Sequence, residues 1–382
     1  MTSNERPVRV VSSVAPIRIA DFGGWTDTWF AKFGRVLNIA VYPLAEVRMR
    51  VFDRHSGRSP ITIFAENYGE RYTLDSVGGT YDRHPLLEAA IDFMGMPDDL
   101  ALEIDILSEA PAGASTGTSA AVSVALIGAL DLLTPGRLTP HEVARAAHRI
   151  ETERLHQQCG VQDQLASAFG GVNFIEILNY PHAIVSPVQL PERILWELDA
   201  RLSLVFLGQS HSSSKVHELV IAELEDAGPD AAKLRALRRT PLLARDALYA
   251  GDFPALGRAM IENTEAQADL HPDLVSATHQ AVIEVARQFG APGWKVNGAG
   301  GDGGSVTILG SSKSAANREM LRAITAAVPG VQSIPVNLSM QGLRVWESPN
   351  EADEHQPTAK AADKTVAPQP FNLYPSWDWP AG

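Results

Sequence analysis

Hydrophobic positions follow two different periods along the chain. Four short Val- and Ile-rich stretches lie between residues 8 and 65, and residues 100–107 (LALEIDIL) alternate apolar with polar positions, as half-buried strands do. Residues 214–289 instead carry apolar residues at helical spacing. Several strands and one more helix are expected between 293 and 345. Strand groups and helices in separate stretches predict an α+β fold in two lobes.

The clearest helix start is Thr139-Pro140-His141-Glu142. Thr139 can accept hydrogen bonds as the N-cap, and Glu142 completes a capping box. On this helix Glu151 falls on the same stripe as the apolar residue Ala147, four positions earlier. An inward carboxylate is unusual, so Glu151 is either a salt-bridged edge residue or part of a site.

Composition narrows the class of protein. A net charge of −13 argues against a general nucleic-acid binder. The single cysteine, Cys159, excludes an intrachain disulfide and a cysteine-based zinc site, and we interpret it as a small buried hydrophobe. The N-terminus lacks the apolar region of a secretory signal, and the longest apolar run, residues 120–133, is too short to span a bilayer. We expect a cytoplasmic protein without nucleic-acid or membrane partners.

Three regions are expected along the chain. Residues 1–195 would form an N-terminal lobe and residues 196–348 a C-terminal lobe, while the proline-rich residues 349–382 read as a largely disordered tail. The end of that tail, residues 371–379, is rich in aromatic residues. It could dock on this chain or on a partner subunit, which leaves a homodimer open.

The loop at residues 111–121 (PAGASTGTSAA) allows two interpretations. Residues 113–117 spell the G-x-S-x-G pattern of serine hydrolases, but a nucleophile elbow needs a strand that runs directly into Ser115, and residues 108–113 intervene. A glycine- and hydroxyl-rich loop that opens an apolar helix is also suited to bind phosphate. We favour the phosphate interpretation, in which a loop serine can also ligate Mg²⁺.

Three segments in order carry a resemblance to a known family. They are residues 15–27 (APIRIADFGGWTD), residues 111–121, and residues 295–304 (KVNGAGGDGG). This order resembles the GHMP kinases, named for galactokinase, homoserine kinase, mevalonate kinase and phosphomevalonate kinase. The resemblance implies an N-terminal lobe like the second domain of ribosomal protein S5, a ferredoxin-like C-terminal lobe, an active site between them, and use of ATP and Mg²⁺.

The resemblance also implies which residues bind the nucleotide and the metal. Ser119 and Glu151 would hold Mg²⁺. The family's second motif usually ends in G-L-G-S-S-A, and in this chain Ser115, Thr116 and Thr118 replace the usual Gly, Leu and Ser of that ending. The residues implied to lie against the phosphates are Pro111, Gly113, Ser115, Thr116, Gly117, Thr118 and Ser119.

Residues 160–165 (GVQDQL) resemble the segment that carries the catalytic aspartate in the sugar kinases of this family. This points to Asp163 as the base, and its place in the first turn of a short helix favours an ionised carboxylate. Arg18 would orient that carboxylate or stabilise the transferring charge. The sugar-binding residues implied by the first and third motifs are Gly24, Trp25, Asp27, Gly298, Ala299, Gly300 and Gly301.

The first motif argues against galactose, because galactokinases carry G-E-H-T-D where this chain has G-G-W-T-D. It is closer to the branch that holds L-fucokinase and the bacterial heptose 7-phosphate 1-kinases. A basic, hydroxyl-rich loop at residues 208–215 adds to that likeness, unless it is a solvated turn. The expected activity is an ATP-dependent sugar 1-kinase. An isoprenoid-type kinase or decarboxylase, and a non-catalytic sugar or nucleotide sensor, remain alternatives.

Overall fold

Two β-sheets organise the part of the chain that the computed structural model describes, residues 6–54, 57–76, 78–208 and 214–348. The first sheet has nine strands and the second has four. The strands are β1 (Arg9–Phe22), β2 (Gly34–Asp53), β3 (Ile61–Ala65), β4 (Glu70–Leu74), β5 (Leu100–Ser108), β6 (Val172–Asn179), β7 (His182–Pro187), β8 (Leu202–Phe206), β9 (Gly293–Val296), β10 (Ser305–Leu309), β11 (Gln332–Ile334), β12 (Asn337–Leu338) and β13 (Arg344–Ser348).

The helices lie in stretches separate from most of the strands, which confirms the predicted α+β class. No described helix is both long enough and apolar enough to cross a membrane. The helices are α1 (Pro85–Met94), α2 (Thr118–Asp131), α3 (Pro140–Arg149), α4 (Gln162–Phe169), α5 (Glu192–Arg201), α6 (Ser214–Ala227), α7 (Ala232–Ala250), α8 (Phe253–Leu270), α9 (Ala277–Gln288) and α10 (Ser314–Ala327).

The first sheet has the order β13-β1-β2-β5-β3-β4, with β12 and β6 also paired to β2, and β7 paired to β6. All of its pairings are antiparallel except that between β3 and β5. The sequence predicts separate strands over residues 35–41 and 46–52, but β2 runs through both of them without a break. The pairing of β1 with β2 shifts there, from Pro16 opposite Leu44 to Ile17 opposite Val41. The shift places Tyr42 and Pro43 in a bulge, where a residue without an N–H is tolerated.

Helices α1 to α4 bury their apolar sides against the first sheet. The core contains Met49 and Ile104 from the strands and Leu126 and Ile150 from the helical layer. Helix α2 is buried along almost its whole length, as its apolar sequence predicts. The predicted capping box at the start of α3 is present, which fixes where the chain turns inward toward Glu151.

The second sheet has the order β11-β8-β10-β9, and its pairings are antiparallel. A shared core joins the two sheets through residues such as Ile19 of β1 and Leu204 of β8. The predicted boundary near residue 195 stays a prediction. The predicted tail, residues 349–382, and residues 209–213 of the basic loop lie outside the described residues.

The last two strands return to the first sheet, where β12 pairs with β2 and β13 with β1. The segment that leads into β13 packs on the C-terminal end of α4. The backbone N–H of Leu343 donates to the carbonyl of Ala168 at 3.2 Å, and the N–H of Gly171 donates to the carbonyl of Ser339 at 2.7 Å. Helix α4 is therefore held at one end by residues from near the end of the described chain.

Candidate active site

Three chain segments that are far apart in the sequence meet around Arg18. Its backbone N–H donates to the carbonyl of Thr116 at 2.9 Å, and its Nη1 donates to the carbonyl of Ser115. A Cβ added to Gly298 would lie 3.0 Å from the Ser115 Cβ, so the third glycine-rich segment closely approaches the second. The structure thus brings together the three motifs identified in the sequence.

Arg18 and Asp163 form a two-point ion pair. Arg18 Nε donates to Asp163 Oδ1 at 2.8 Å, and Nη2 donates to Oδ2 at 3.1 Å. The Arg18 side chain is buried, whereas that of Asp163 is 28% exposed. Burial alone would lower the pKa of Arg18, but Asp163 and Asp21 outweigh it and raise that pKa, so the guanidinium stays charged. An oriented, partly accessible carboxylate results.

Asp163 lies beside the loop at residues 111–121. Gly117 is the N-cap of α2 and has φ +71°, and a Cβ added to it would lie 3.2 to 3.3 Å from the Asp163 carboxyl group. Glycine is therefore required twice here, for the left-handed backbone and for the close approach of the carboxylate. The arrangement sets a candidate base next to a helix N-terminus that is suited to phosphate.

Some of the loop residues that were predicted to bind phosphate line a cavity, and the others do not. Gly113, Thr118 and Ser119 line a cavity of about 420 Å³, and Ser119 is exposed. Thr116 is buried, and its hydroxyl lies 3.3 Å from that of Thr118, so this side-chain contact is internal to the loop. Pro111, Ser115 and Gly117 complete the predicted set without lining this cavity.

Ser115 replaces a family glycine and adopts φ +57°. A left-handed backbone at a non-glycine residue is uncommon and costs roughly 1 kcal/mol. Strand β5 ends at Ser108, well ahead of Ser115, so the strand-to-serine elbow of a hydrolase is absent from this part of the structure. The serine side chain instead faces Gly298 of the third segment.

Glu151 lies in a single π-helical turn, Ile150–Arg154, that continues α3. Such turns occur often at functional sites. Its Oε1 accepts a hydrogen bond from Gln164 Nε2 at 2.7 Å, and its side chain lines the same cavity as Ser119. Burial raises the pKa of Glu151 to about 7, with Asp163 adding to the effect.

A carboxylate oxygen and a hydroxyl oxygen on one cavity are the donor types that Mg²⁺ prefers. Among the described residues, no group of three or more His, Cys, Asp or Glu side chains could hold a metal ion. Ser119 and Glu151 therefore fit Mg²⁺ only with nucleotide phosphates or water as the other ligands.

Asp27 joins the first motif to the helix that carries Asp163. Its Oδ2 accepts hydrogen bonds from the backbone N–H groups of Val161 at 2.9 Å and Gln162 at 3.0 Å. A Cβ on Gly160 would lie only 2.1 Å from that oxygen. Burial raises the pKa of Asp27 to about 6, although the Gln162 N–H opposes the shift. Asp27 thus caps α4 from a distance of more than 130 residues in sequence.

Asp27 and Gly160 also line a second cavity, of about 320 Å³. Aromatic, carboxylate and amide side chains dominate its described lining, which contains no lysine or arginine. The lining residues are Asp21, Trp25, Asp27, Thr28, Trp29, Phe30, Gln158, Cys159, Gly160, Gln162, His217, Glu218, Ile221, Gly298 and Ala299. Cys159, interpreted from the sequence as a buried hydrophobe, is half-buried on this wall, and burial raises the pKa of its thiol.

Not every predicted substrate-binding residue reaches this cavity. Gly24 is packed against Asp21, because a Cβ there would lie 2.8 Å from Asp21 Oδ2. Gly300 has φ +77°, and a Cβ on it would lie 2.2 Å from the Leu274 carbonyl, to which Gly301 also donates at 3.0 Å. These three glycines shape the loops, while Trp25, Asp27, Gly298 and Ala299 line the cavity.

Sequence reasoning missed a buried charge cluster beneath the site. Both Asp21 oxygens accept from the Gly298 N–H, at 3.0 and 3.1 Å, and Asp21 Oδ1 lies 3.6 Å from Lys295 Nζ and 3.8 Å from Arg18 Nη1. Burial lowers the pKa of Lys295, and Asp21 opposes the shift. A charged residue inside each of the first and third motifs was the available signal. The cluster ties the third motif to the first.

Comparisons with known proteins agree with this geometry. The family described as the GHMP kinases N terminal domain matches residues 85–171. The chain is 25% identical over 350 residues to D-glycero-alpha-D-manno-heptose 7-phosphate kinase of Campylobacter jejuni, which covers 89% of this chain and 99% of that enzyme. It is 30% identical over 251 residues to mevalonate kinase of Thermococcus sibiricus, or 63% of this chain and 68% of that enzyme.

A solved structure gives the same result. The crystal structure of a D-glycero-D-manno-heptose 1-phosphate kinase from Bacteroides thetaiotaomicron matches with a TM-score of 0.66 at 25% identity. The match covers 88% of this chain and 98% of that chain.

Proposed function

The chain belongs to the GHMP kinases, and from that premise we propose that it phosphorylates the anomeric hydroxyl of an aldose with ATP. As a kinase it is a phosphotransferase. The acceptor that we propose is a fucose-like aldose or a heptose 7-phosphate, and the product is the sugar 1-phosphate. Similarity to a heptose 7-phosphate kinase over nearly the whole length of that enzyme supports this choice.

The composition of the 320 Å³ cavity carries the proposal. Its described lining offers the carboxylates of Asp21, Asp27 and Glu218 and no lysine or arginine. Carboxylates accept hydrogen bonds from hydroxyl groups, and an aldose presents several of these. Trp25 adds an apolar ring of the kind that packs against a sugar face. A polyhydroxylated ring is the part of an acceptor that suits this wall.

Two buried polar atoms on the same wall also favour a sugar as the ligand. Trp25 Nε1 and Gln162 Oε1 are buried without a hydrogen-bond partner among the described residues. An unpaired buried polar atom costs about 1–3 kcal/mol, so such atoms usually meet a ligand or water. Sugar hydroxyls both donate and accept, and they can therefore satisfy the indole N–H and the amide oxygen together.

For the nucleotide, we propose the 420 Å³ cavity, with the phosphates against the N-terminus of α2. The backbone N–H groups after Gly117 face outward at the positive end of the helix dipole. Ser119 and Glu151 would hold Mg²⁺ against the phosphates. The metal would supply charge neutralisation on the transferring phosphoryl group.

Asp163 would accept the proton of the attacking hydroxyl. Its carboxylate is fixed by Arg18, is partly accessible, and lies beside the first turn of α2. Asp27 holds the first turn of the helix that carries this base. Arg18 keeps the carboxylate oriented and places a fixed positive charge close to the transferring group.

The test is a kinase assay with ATP and Mg²⁺ against a panel of free and phosphorylated aldoses, with mevalonate as the contrasting acceptor. The proposal predicts turnover of an aldose, and NMR of the product should place the phosphate on the anomeric carbon. Turnover of mevalonate alone would contradict it. Thermal stabilisation by an aldose without any turnover would favour a sensor.

A further inference from the structure

The segment between the π turn and α4, residues 155–160, contacts both cavities, and we call it the active-site loop. Gln157 lines the 420 Å³ cavity, whereas Gln158, Cys159 and Gly160 line the 320 Å³ cavity. The candidate metal ligand precedes the loop and the candidate base follows it. Its conformation therefore affects the shape of the wall against which we propose that the acceptor binds.

The loop has little packing of its own. Residues 156–158 are exposed, and His156 adopts φ +53°, an uncommon conformation for a residue with a side chain. At its start the N–H of Gln157 donates to the carbonyl of Glu151 at 2.8 Å. Beyond its end Asp27 holds the N–H of Val161. A loop with few buried apolar contacts opens easily unless other groups hold it.

Tyr180 supplies a hydrogen bond to the middle of the loop. Its hydroxyl donates to the carbonyl of Cys159 at 3.0 Å and lies 2.7 Å from His148 Nε2. A hydroxyl has one proton, so His148 must donate from Nε2 to the Tyr180 oxygen. Burial lowers the pKa of His148 to about 4, so the ring is neutral near pH 7 and its proton is on Nε2.

Tyr180 is itself held in place by the first sheet. It follows β6 directly, at the turn into β7, and its backbone N–H donates to the carbonyl of Lys32 at 2.7 Å. Its ring packs edge-on against His148, with centroids 5.4 Å apart and planes at 74°. The hydroxyl that reaches Cys159 is thus carried by a fixed element.

We propose that Tyr180, oriented by His148, is a positioning residue that holds the active-site loop and sets the affinity of the enzyme for its acceptor. The affinity for ATP should change less, because Tyr180 reaches the loop at Cys159, on the wall of the acceptor cavity, whereas Gln157 is held separately by the Glu151 carbonyl. This inference rests on the proposed function. Tyr180 does not touch the reacting groups, so the rate of the chemical step is not its direct target.

The test uses Tyr180→Phe, which removes the hydroxyl and keeps the ring. Loss of one such hydrogen bond should raise KM for the aldose about 3- to 10-fold, while KM for ATP and kcat change less than about twofold. Amide hydrogen exchange in peptides that span residues 155–162 should accelerate. Tyr249→Phe, at an exposed tyrosine of α7, is the matched control and should change none of these. His148→Gln keeps an N–H donor, so it should change KM for the aldose and amide exchange less than His148→Leu does.

The exchange measurement does not require turnover, so it separates this inference from the proposed function. If the wild-type protein phosphorylates no aldose, the proposed function and the affinity role both fail, and exchange still decides whether Tyr180 anchors the loop. Unchanged exchange in Tyr180→Phe would overturn the anchor. Faster exchange with an unchanged KM for the aldose would overturn the effect on acceptor affinity.

Discussion

Arg18 Nε and Nη2 bind the two carboxylate oxygens of Asp163 separately, at 2.8 and 3.1 Å. This side-by-side geometry fixes the plane of the carboxylate, which a single contact from a lysine ammonium cannot do. Because Arg18 is also hydrogen-bonded to the loop at residues 111–121, the base and the proposed phosphate site share one rigid support.

Asp163→Asn should lower kcat by about 10²- to 10⁴-fold, the range for loss of a general base, with a smaller change in KM for ATP. Steady-state kinetics on the acceptor identified by the panel would measure both. Asp98→Asn, at an exposed aspartate, should behave as the wild-type enzyme does. Turnover near the wild-type rate in Asp163→Asn would rule out the assigned base.

Gly117→Ala tests the close approach between the loop and the base. Alanine at φ +71° carries a backbone cost of roughly 1 kcal/mol, and its Cβ would press on the Asp163 carboxyl group. Gly228→Ala is a matched control, since Gly228 has φ +75° and its Cβ would meet nothing within 4 Å. Both variants should unfold at lower temperature, but only Gly117→Ala should lose kcat, by about tenfold or more. Equal kcat values in the two variants would show that the close approach of Gly117 to Asp163 does not matter for turnover.

Trp25→Phe removes the buried indole N–H that has no partner among the described residues. If the acceptor satisfies that N–H, its KM should rise about 3- to 10-fold while KM for ATP stays the same. Trp196→Phe, at an exposed tryptophan on α5, serves as the control. Thermal unfolding of both variants would separate lost packing from lost binding, and an unchanged KM for the aldose would remove Trp25 from the acceptor site.

Glu151→Gln should stabilise the metal-free protein at pH 8 but not at pH 5. The pKa of Glu151 is raised from its ordinary 4.5 to about 7, so the folded protein binds this proton more tightly than the unfolded chain does. Stability is therefore lost as the pH rises from about 4.5 past 7, and the loss approaches about 3 kcal/mol at pH 8. The raised pKa of Asp27 adds to this loss of stability with rising pH in the wild-type protein.

Thermal unfolding in the presence of a chelator, at both pH values, measures this effect. Glutamine keeps an oxygen that can accept the Gln164 hydrogen bond and carries no charge. Glu319→Gln, at an exposed glutamate, controls for the change in net charge. A variant that is destabilised equally at pH 5 and pH 8 would show that burial of the charge is not the cause. Activity should be lost in Glu151→Gln at either pH if Glu151 holds Mg²⁺.

Local signals in the sequence predicted much of this molecule. The capping box at Thr139 and the stripe that contains Glu151 depend on neighbours within a few turns, and both are present. The α+β class follows from the same periodicities. The continuous strand β2 was missed because only the pairing with β1 reveals that Pro43 lies in a bulge. Whether a proline breaks a strand depends on its partner strand.

The contacts that complete the site were beyond such signals. Asp21 and Lys295 are far apart in the sequence, and each looks like an ordinary charged residue until the fold brings them to 3.6 Å. The role of Asp27 as a cap of α4 depends on a contact of the same kind. The resemblance to the GHMP kinases identified the segments, but the pairing between them comes from the tertiary structure.

The return of β12 and β13 to the first sheet also orders events during synthesis. Helix α4, with Asp163, leaves the ribosome well before Ser339 and Leu343, which hold its C-terminal end. At 5–20 residues per second, roughly 10–40 s separate the two events. The interval between the synthesis of β1 and that of its partner β13 is longer still. The nascent chain therefore carries the proposed catalytic base without its full support, and the support arrives only when the described chain is almost complete.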